Sequence, residues 1–135
     1  MNVAQEAKVG SILIVEDESV SLMLLQRLFE DVHLLAAAGT ASEAIKLLET
    51  KDFDVGVFDL RVPFESDDVP STEQALAVLR VARNRQPNMS IFTISSVLVD
   101  DDLRSSLQEL GVIKNFEKPF AFPKLQDEVD RHLPR

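Results

Sequence analysis

At 135 residues and 45% apolar content, the chain has the size of one compact α/β domain and leaves little room for a second core. Its formal charge of −9, from 14 basic and 23 acidic residues, argues against a surface that neutralises nucleic-acid phosphates, so no direct nucleic-acid partner is expected. Cysteine is absent, which excludes disulfides and thiolate metal sites, and no apolar run approaches the length that spans a bilayer, so a cytoplasmic protein without a membrane partner is expected.

Residues 1–10 are polar and mixed and read as an N-terminal extension, with one domain over residues 11–135. Ile12-Leu13-Ile14-Val15 is a buried-strand run, and Asp17 or Ser19 then caps a helix carrying Val20, Met23, Leu24, Leu28 and Phe29 on one side. Val32 to Ala38 forms a second strand, and Thr40 or Ala41 opens a helix through Thr50 with Ala44, Ile45, Leu47 and Leu48 at helical spacing. The third strand, Val55 to Phe58, delivers Asp59 at its end. Leu60 to about Ser71 is a loop, longer than is usual for such a connection, with Pro63, Pro70 and the acids Glu65, Asp67 and Asp68. A third helix runs from about Thr72 to Arg85, a fourth strand from Ser90 to Ile94, and a fourth helix from Val99 to Leu110, its first turn rich in aspartate. Gly111 ends that helix, Val112 to Glu117 is the fifth strand, and Pro123 to about Leu133 the last helix. Alternating strands and crossover helices predict an α/β protein built on a parallel sheet.

Functional groups of open parallel sheets gather at the carboxyl ends of the strands. Here the first strand is followed by Glu16 and Asp17, the third by Asp59, the fourth by Ser95 and Ser96, and the fifth by Lys118 and Pro119. Three carboxylates at one rim repel one another unless a cation sits among them, and one lysine leaves an excess of negative charge. Such a set suits a hard divalent ion, magnesium first and manganese as a substitute. With the ion bound, Asp59 has the character of a carboxylate nucleophile toward phosphorus, and the Ser95 hydroxyl that of a hydrogen-bond donor to the phosphoryl group. Asp54, at the other end of the third strand, lies on the wrong rim and reads as a turn residue. His33 is far from the acidic rim and reads as structural.

The runs ILIVEDE, VFDLRVP, IFTISS and FEKPF, in this order and each built on an apolar strand, resemble the receiver domain of bacterial response regulators over nearly the whole chain. The resemblance implies a single doubly wound five-stranded parallel sheet of flavodoxin-like order 2-1-3-4-5 with helices on both faces. It makes Glu16 and Asp17 the metal-binding acidic pair, Asp59 the phosphoacceptor and Arg61 the residue whose backbone carbonyl completes the metal site. Ser95 falls at the switch hydroxyl, Ser96 at the small residue beside it, and Lys118 at the phosphate-binding lysine, joined to Pro119 by a cis peptide. The implied partners are a histidine kinase or histidine phosphotransfer protein as donor and a downstream protein target, with a phosphorylation-dependent homodimer as a further expected assembly. The implied chemistry is self-catalysed phosphoryl transfer and autodephosphorylation, not turnover of a separate substrate.

The chain departs from the family pattern in three places. The loop after Pro63 is about five residues longer than usual. Asn115 stands where an aromatic residue is common, and Arg61 and Val97 occupy two variable positions that tune hydrolysis of the acyl phosphate. One rival reading is a degenerate receiver acting as a phosphorylation-independent interaction module, favoured by Asn115 and the altered loop. A second is an aspartate-nucleophile phosphatase of the haloacid-dehalogenase type, but such enzymes carry an Asp-x-Asp motif and the second residue after Asp59 is Arg61. A flavodoxin is disfavoured because no Gly/Ser/Thr-rich phosphate loop follows the first strand.

Overall fold

A computed structural model of the chain describes residues 8–134. Five strands alternate with five helices: β1 (Lys8–Val15), α1 (Ser19–Leu28), β2 (Val32–Ala38), α2 (Ala41–Thr50), β3 (Val55–Asp59), α3 (Thr72–Arg85), β4 (Ser90–Ser95), α4 (Asp101–Glu109), β5 (Val112–Glu117) and α5 (Phe122–His132). All strand pairings are parallel and the sheet order is β2-β1-β3-β4-β5, as expected. No helix among the described residues is long and apolar enough to cross a membrane.

Each strand alternates its side chains between two apolar layers. Ile12, Ile14, Val55, Val57, Phe92 and Ile94 meet Leu25 and Phe29 of α1 and Leu125 and Val129 of α5. Leu13, Val15, Phe58 and Ile91 meet Ala44 and Leu48 of α2, Leu79 and Ala82 of α3 and Leu107 of α4. Both faces are covered, which is why Ile12 to Val15 and Val55 to Phe58 read as unbroken apolar runs. Gly56 has no side chain because the Phe58 ring lies where its Cβ would be.

Several boundaries differ from the sequence reading. The first strand starts at Lys8, with a register irregularity before Ser11 and a positive φ of 126° at Gly10. Residues 8–10 thus belong to the sheet, and the rest of the expected extension, residues 1–7, lies outside the described residues. The cap of α1 is neither Asp17 nor Ser19 but Glu18, whose carboxylate accepts the N–H groups of Val20 (3.1 Å) and Ser21 (2.9 Å). The fourth helix starts at Asp101, because Asp100 takes the N-cap and accepts the Leu103 N–H at 2.8 Å. The 60–71 loop is structured at both ends. Val62 and Ser71 form an antiparallel bridge, and the carbonyls of Pro63 and Phe64 accept the first amides of α2, Ala41 (2.8 Å) and Ser42 (3.0 Å). A helix start otherwise leaves such donors without partners.

Candidate functional site

β1 and β3 lie side by side with Val15 opposite Phe58, so Glu16 and Asp59 emerge next to each other on the sheet face covered by α1 and α5. With Asp17 they bring carboxylate oxygens within 4.8 Å of one another. Lys118, one residue beyond β5, reaches across β4 to the same point. Its Nζ donates to Glu16 at 3.0 and 3.2 Å and to Asp59 Oδ2 at 2.8 Å. The other Asp59 oxygen, Oδ1, accepts the Arg61 N–H at 2.9 Å. The group opens into a cleft of about 300 Å³ lined by Glu16, Asp17, Glu18, Asp59, Arg61, Pro70, Ser96 and Lys118.

Burial sets the electrostatics. Glu16 is fully buried, which pushes its pKa from 4.5 up to about 8, with Asp59 adding to the rise and Lys118 opposing it. Partial desolvation and the Asp59 charge raise Asp17 as well, against the pull of Lys118 and Arg61. Burial works to lower the pKa of the Lys118 ammonium, but the Asp59 and Glu16 carboxylates outweigh it and hold the pKa above its ordinary value. The centre is therefore short of positive charge, and its donor set of carboxylate oxygens matches a hard divalent cation.

The other sequence-predicted residues are distributed around this centre. Ser95 is buried at the end of β4, and its hydroxyl is engaged with the backbone two residues on, donating to the Val97 carbonyl (2.8 Å) and accepting the Val97 N–H (3.0 Å). Ser96 is exposed and borders the cleft. Val97 is half-buried against the α2–α4 side of the core. Asn115 lies away from the cleft, where its Oδ1 accepts the Thr93 hydroxyl at 2.8 Å. The Lys118-Pro119 peptide is cis. Two further residues border the cleft. Glu18 borders the cleft while capping α1, and Pro70 is carried back to the rim by the Val62–Ser71 bridge, where its carbonyl meets the Arg61 guanidinium at 3.5 Å. No local signal in the loop announces that return.

An open parallel sheet with an acid-and-lysine centre at the β1/β3 switch point defines an α/β domain of flavodoxin-like topology, built around one aspartate. The response regulator receiver domain model matches residues 12–130, and the chain belongs to that family, whose members serve two-component signalling. A curated relative, the hydrogenase transcriptional regulatory protein HoxA of Bradyrhizobium diazoefficiens, is 28% identical over 120 residues. The match takes in 89% of this chain but only 23% of that protein. Among solved structures, a CheY-like receiver domain protein from Methanospirillum hungatei JF-1 superposes with a TM-score of 0.77 at 21% identity, covering 92% of this chain and 93% of the other. The receiver domain of a sensor histidine kinase from Pseudomonas aeruginosa PAO1, solved with magnesium coordinated in its active-site cleft, gives 0.69 at 20% identity, covering 91% and 96%.

Proposed function

We propose that residues 11–135 act as a phosphoacceptor domain in which Asp59 takes a phosphoryl group from a phosphohistidine, supplied by a histidine kinase or a histidine phosphotransfer protein. The observation that carries this reading is the convergence of Asp59 with Glu16, Asp17 and Lys118 in one open cleft. A carboxylate oxygen of Asp59 forms the new bond to phosphorus, the P–N bond of the donor breaks, and its electron pair returns to the imidazole. The Arg61 N–H and the Lys118 ammonium hold the two Asp59 oxygens in place, and the ammonium balances charge on the transferring group. Magnesium, or manganese in its place, fits Glu16, Asp17, Asp59 and the Arg61 carbonyl, and supplies charge neutralisation at the transferring oxygens.

Ser95 stands where the family resemblance puts the switch hydroxyl, with Ser96, Val97, Asn115 and Pro119 as modulating neighbours. The signal leaves through contact with a downstream protein or a second phosphorylated copy, in the cytoplasm. The test is incubation with acetyl phosphate and magnesium followed by intact-mass measurement. A gain of one phosphoryl group that disappears in Asp59→Asn is the expected result. No gain in the parent would favour a phosphorylation-independent interaction module, a reading to which the Ser95 hydroxyl, engaged with Val97, lends some support.

A further inference from the structure

Glu18, Ser71 and Asp100 cap α1, α3 and α4 from the residue just before each helix. α2 has such a cap as well: the Thr40 hydroxyl accepts the Glu43 N–H at 3.1 Å and donates to the Glu43 carboxylate at 3.2 Å. Its first two amides, which a helix start leaves without partners of its own, go elsewhere. The Ala41 and Ser42 N–H groups donate to the carbonyls of Pro63 (2.8 Å) and Phe64 (3.0 Å), and among the described residues no other helix has its first amides accepted by a distant segment. That segment is continuous with the cleft. Arg61, two residues before Pro63, gives its N–H to Asp59 Oδ1, and Leu60, Val62 and Pro63 are buried around it. The start of α2 meets the cleft from a second side, because Ala38, at the end of β2, accepts the Glu16 N–H at 3.0 Å. Residues 38–42 therefore join, by backbone hydrogen bonds, the segments that follow β1 and β3.

We propose that the start of α2 is a positioning element of the cleft, with Thr40 as the residue that keeps it ordered. An ordered first turn holds residues 61–64, and with them the Arg61 peptide beside Asp59, in the arrangement that a divalent cation needs. This rests on the metal-site reading above. The element with two arrangements is the first turn of α2, either bonded to residues 63 and 64 or frayed, and the bonds from Ala41 to Asp59 are the physical path. Coupling of this kind is reciprocal: a cation that fixes residues 59–61 keeps Ala41 and Ser42 on their carbonyls, and fraying of α2 weakens the cation by the same factor.

The experiment titrates magnesium chloride alone into the parent, Thr40→Ala, Thr40→Ser and Asp100→Ala, follows binding by NMR, and measures amide exchange of the parent with and without the ion. Saturation should slow exchange at Ala41 and Ser42 by about fivefold, the lower end of ordinary coupling between sites. Thr40→Ala should bind magnesium about fivefold more weakly, while Thr40→Ser, which keeps the hydroxyl, should match the parent. Asp100→Ala also loses a helix cap, the bond to the Leu103 N–H, but on a helix that gives residues 60–64 no hydrogen bond, so its affinity should stay at the parent value. A parent that binds magnesium with unchanged exchange at Ala41 and Ser42 overturns the proposal and leaves the metal site standing. So does a Thr40→Ala affinity equal to that of the parent, or an equal loss in Asp100→Ala, which would mark a general effect of lowered stability. If Thr40→Ala does not fold, the exchange measurement on the parent decides alone. A parent that binds no magnesium overturns the metal-site reading itself, and this proposal with it.

Discussion

Aspartate terminates β3 at its carboxyl end and precedes it at the amino end, and the two residues live in opposite regimes. Asp54 accepts the Ser11 N–H at 2.9 Å and the Ser11 hydroxyl at 3.2 Å, so its charge is met by neutral donors of the adjacent strand. Asp59 sits among two further carboxylates and one ammonium. The amino edge is thus satisfied within the chain, and its acid serves the fold. The carboxyl edge carries unbalanced charge that the fold tolerates, and such frustration marks a site that completes itself with something from outside. The same residue type at two ends of five residues of strand carries different meanings, which only the neighbours decide.

The largest expected effect is at the carboxyl edge. A divalent ion that binds only the folded state adds about 2.7 kcal/mol of stability at a hundredfold excess over its Kd, read as a higher unfolding midpoint. Magnesium should raise the midpoint of the parent, and Asp17→Ala should lose that gain. Thermal melts of the parent that superimpose with and without millimolar magnesium would remove the metal site from the comparison.

The next effect is pH dependence in the presence of a chelator. Glu16 titrates near 8 in the folded protein and near 4.5 in the unfolded chain, so between these values the folded state holds a proton that unfolding releases. Its contribution is fully present below the lower value and is lost as pH rises through the upper one. Glu16→Gln keeps a neutral, hydrogen-bonding group there and should flatten this fall. Urea unfolding from pH 5 to pH 9 checks it, and equal slopes in the two proteins would show that the burial of Glu16 has been misjudged.

Smaller still is the direct contrast of the two aspartates. Asp54→Ala should cost about 1–2 kcal/mol through its lost bonds to Ser11. Asp59→Asn should be at least as stable as the parent without metal, because relief from Glu16 and Asp17 offsets the weakened Lys118 contact. Denaturant unfolding of both variants sharpens the comparison, and an Asp59→Asn loss as large as that of Asp54→Ala would erase it.

Most of the fold was legible because the buried strands are short apolar runs and the helices carry local start signals. Thr40, one of the two residues expected to open α2, does cap it, accepting the N–H of Glu43 at 3.1 Å. The candidate site was legible because strand-end position and residue type together pick out Glu16, Asp17, Asp59 and Lys118. What escaped depends on distant or unlike partners. Lys8 to Ser11 is no apolar run, and it joins the sheet by pairing with β2 across an irregularity at Gly10 and through Ser11 with Asp54. The choice of Glu18 over Asp17 and Ser19 as the cap of α1 turns on its longer side chain, which folds back onto the helix start while Asp17 borders the cleft. The orientation of the Ser95 hydroxyl is decided by the Val97 backbone two residues on, and sequence type is blind to it.

The smallest effect concerns how long the carboxyl edge would keep a phosphoryl group accepted as proposed above. Hydrolysis of an acyl phosphate needs a water in line with phosphorus, and a side chain that accepts the water's proton or orients it lowers the barrier. Arg61 stands at the cleft rim, its backbone N–H on Asp59 and its guanidinium beside the Pro70 carbonyl, and it offers only donors. Val97 offers no side-chain hydrogen bond, and its backbone is occupied by Ser95. Neither residue helps water, and the long loop adds Pro70 to the rim through which water must pass. The phosphorylated state should therefore be long-lived, and Arg61→Asn or Val97→Glu should shorten it by about three- to tenfold, at the low end of what one positioned acid–base group contributes. After removal of acetyl phosphate, decay followed by intact mass decides the matter: a parent that loses its phosphoryl group as fast as both variants would show that the rim plays no part in the lifetime.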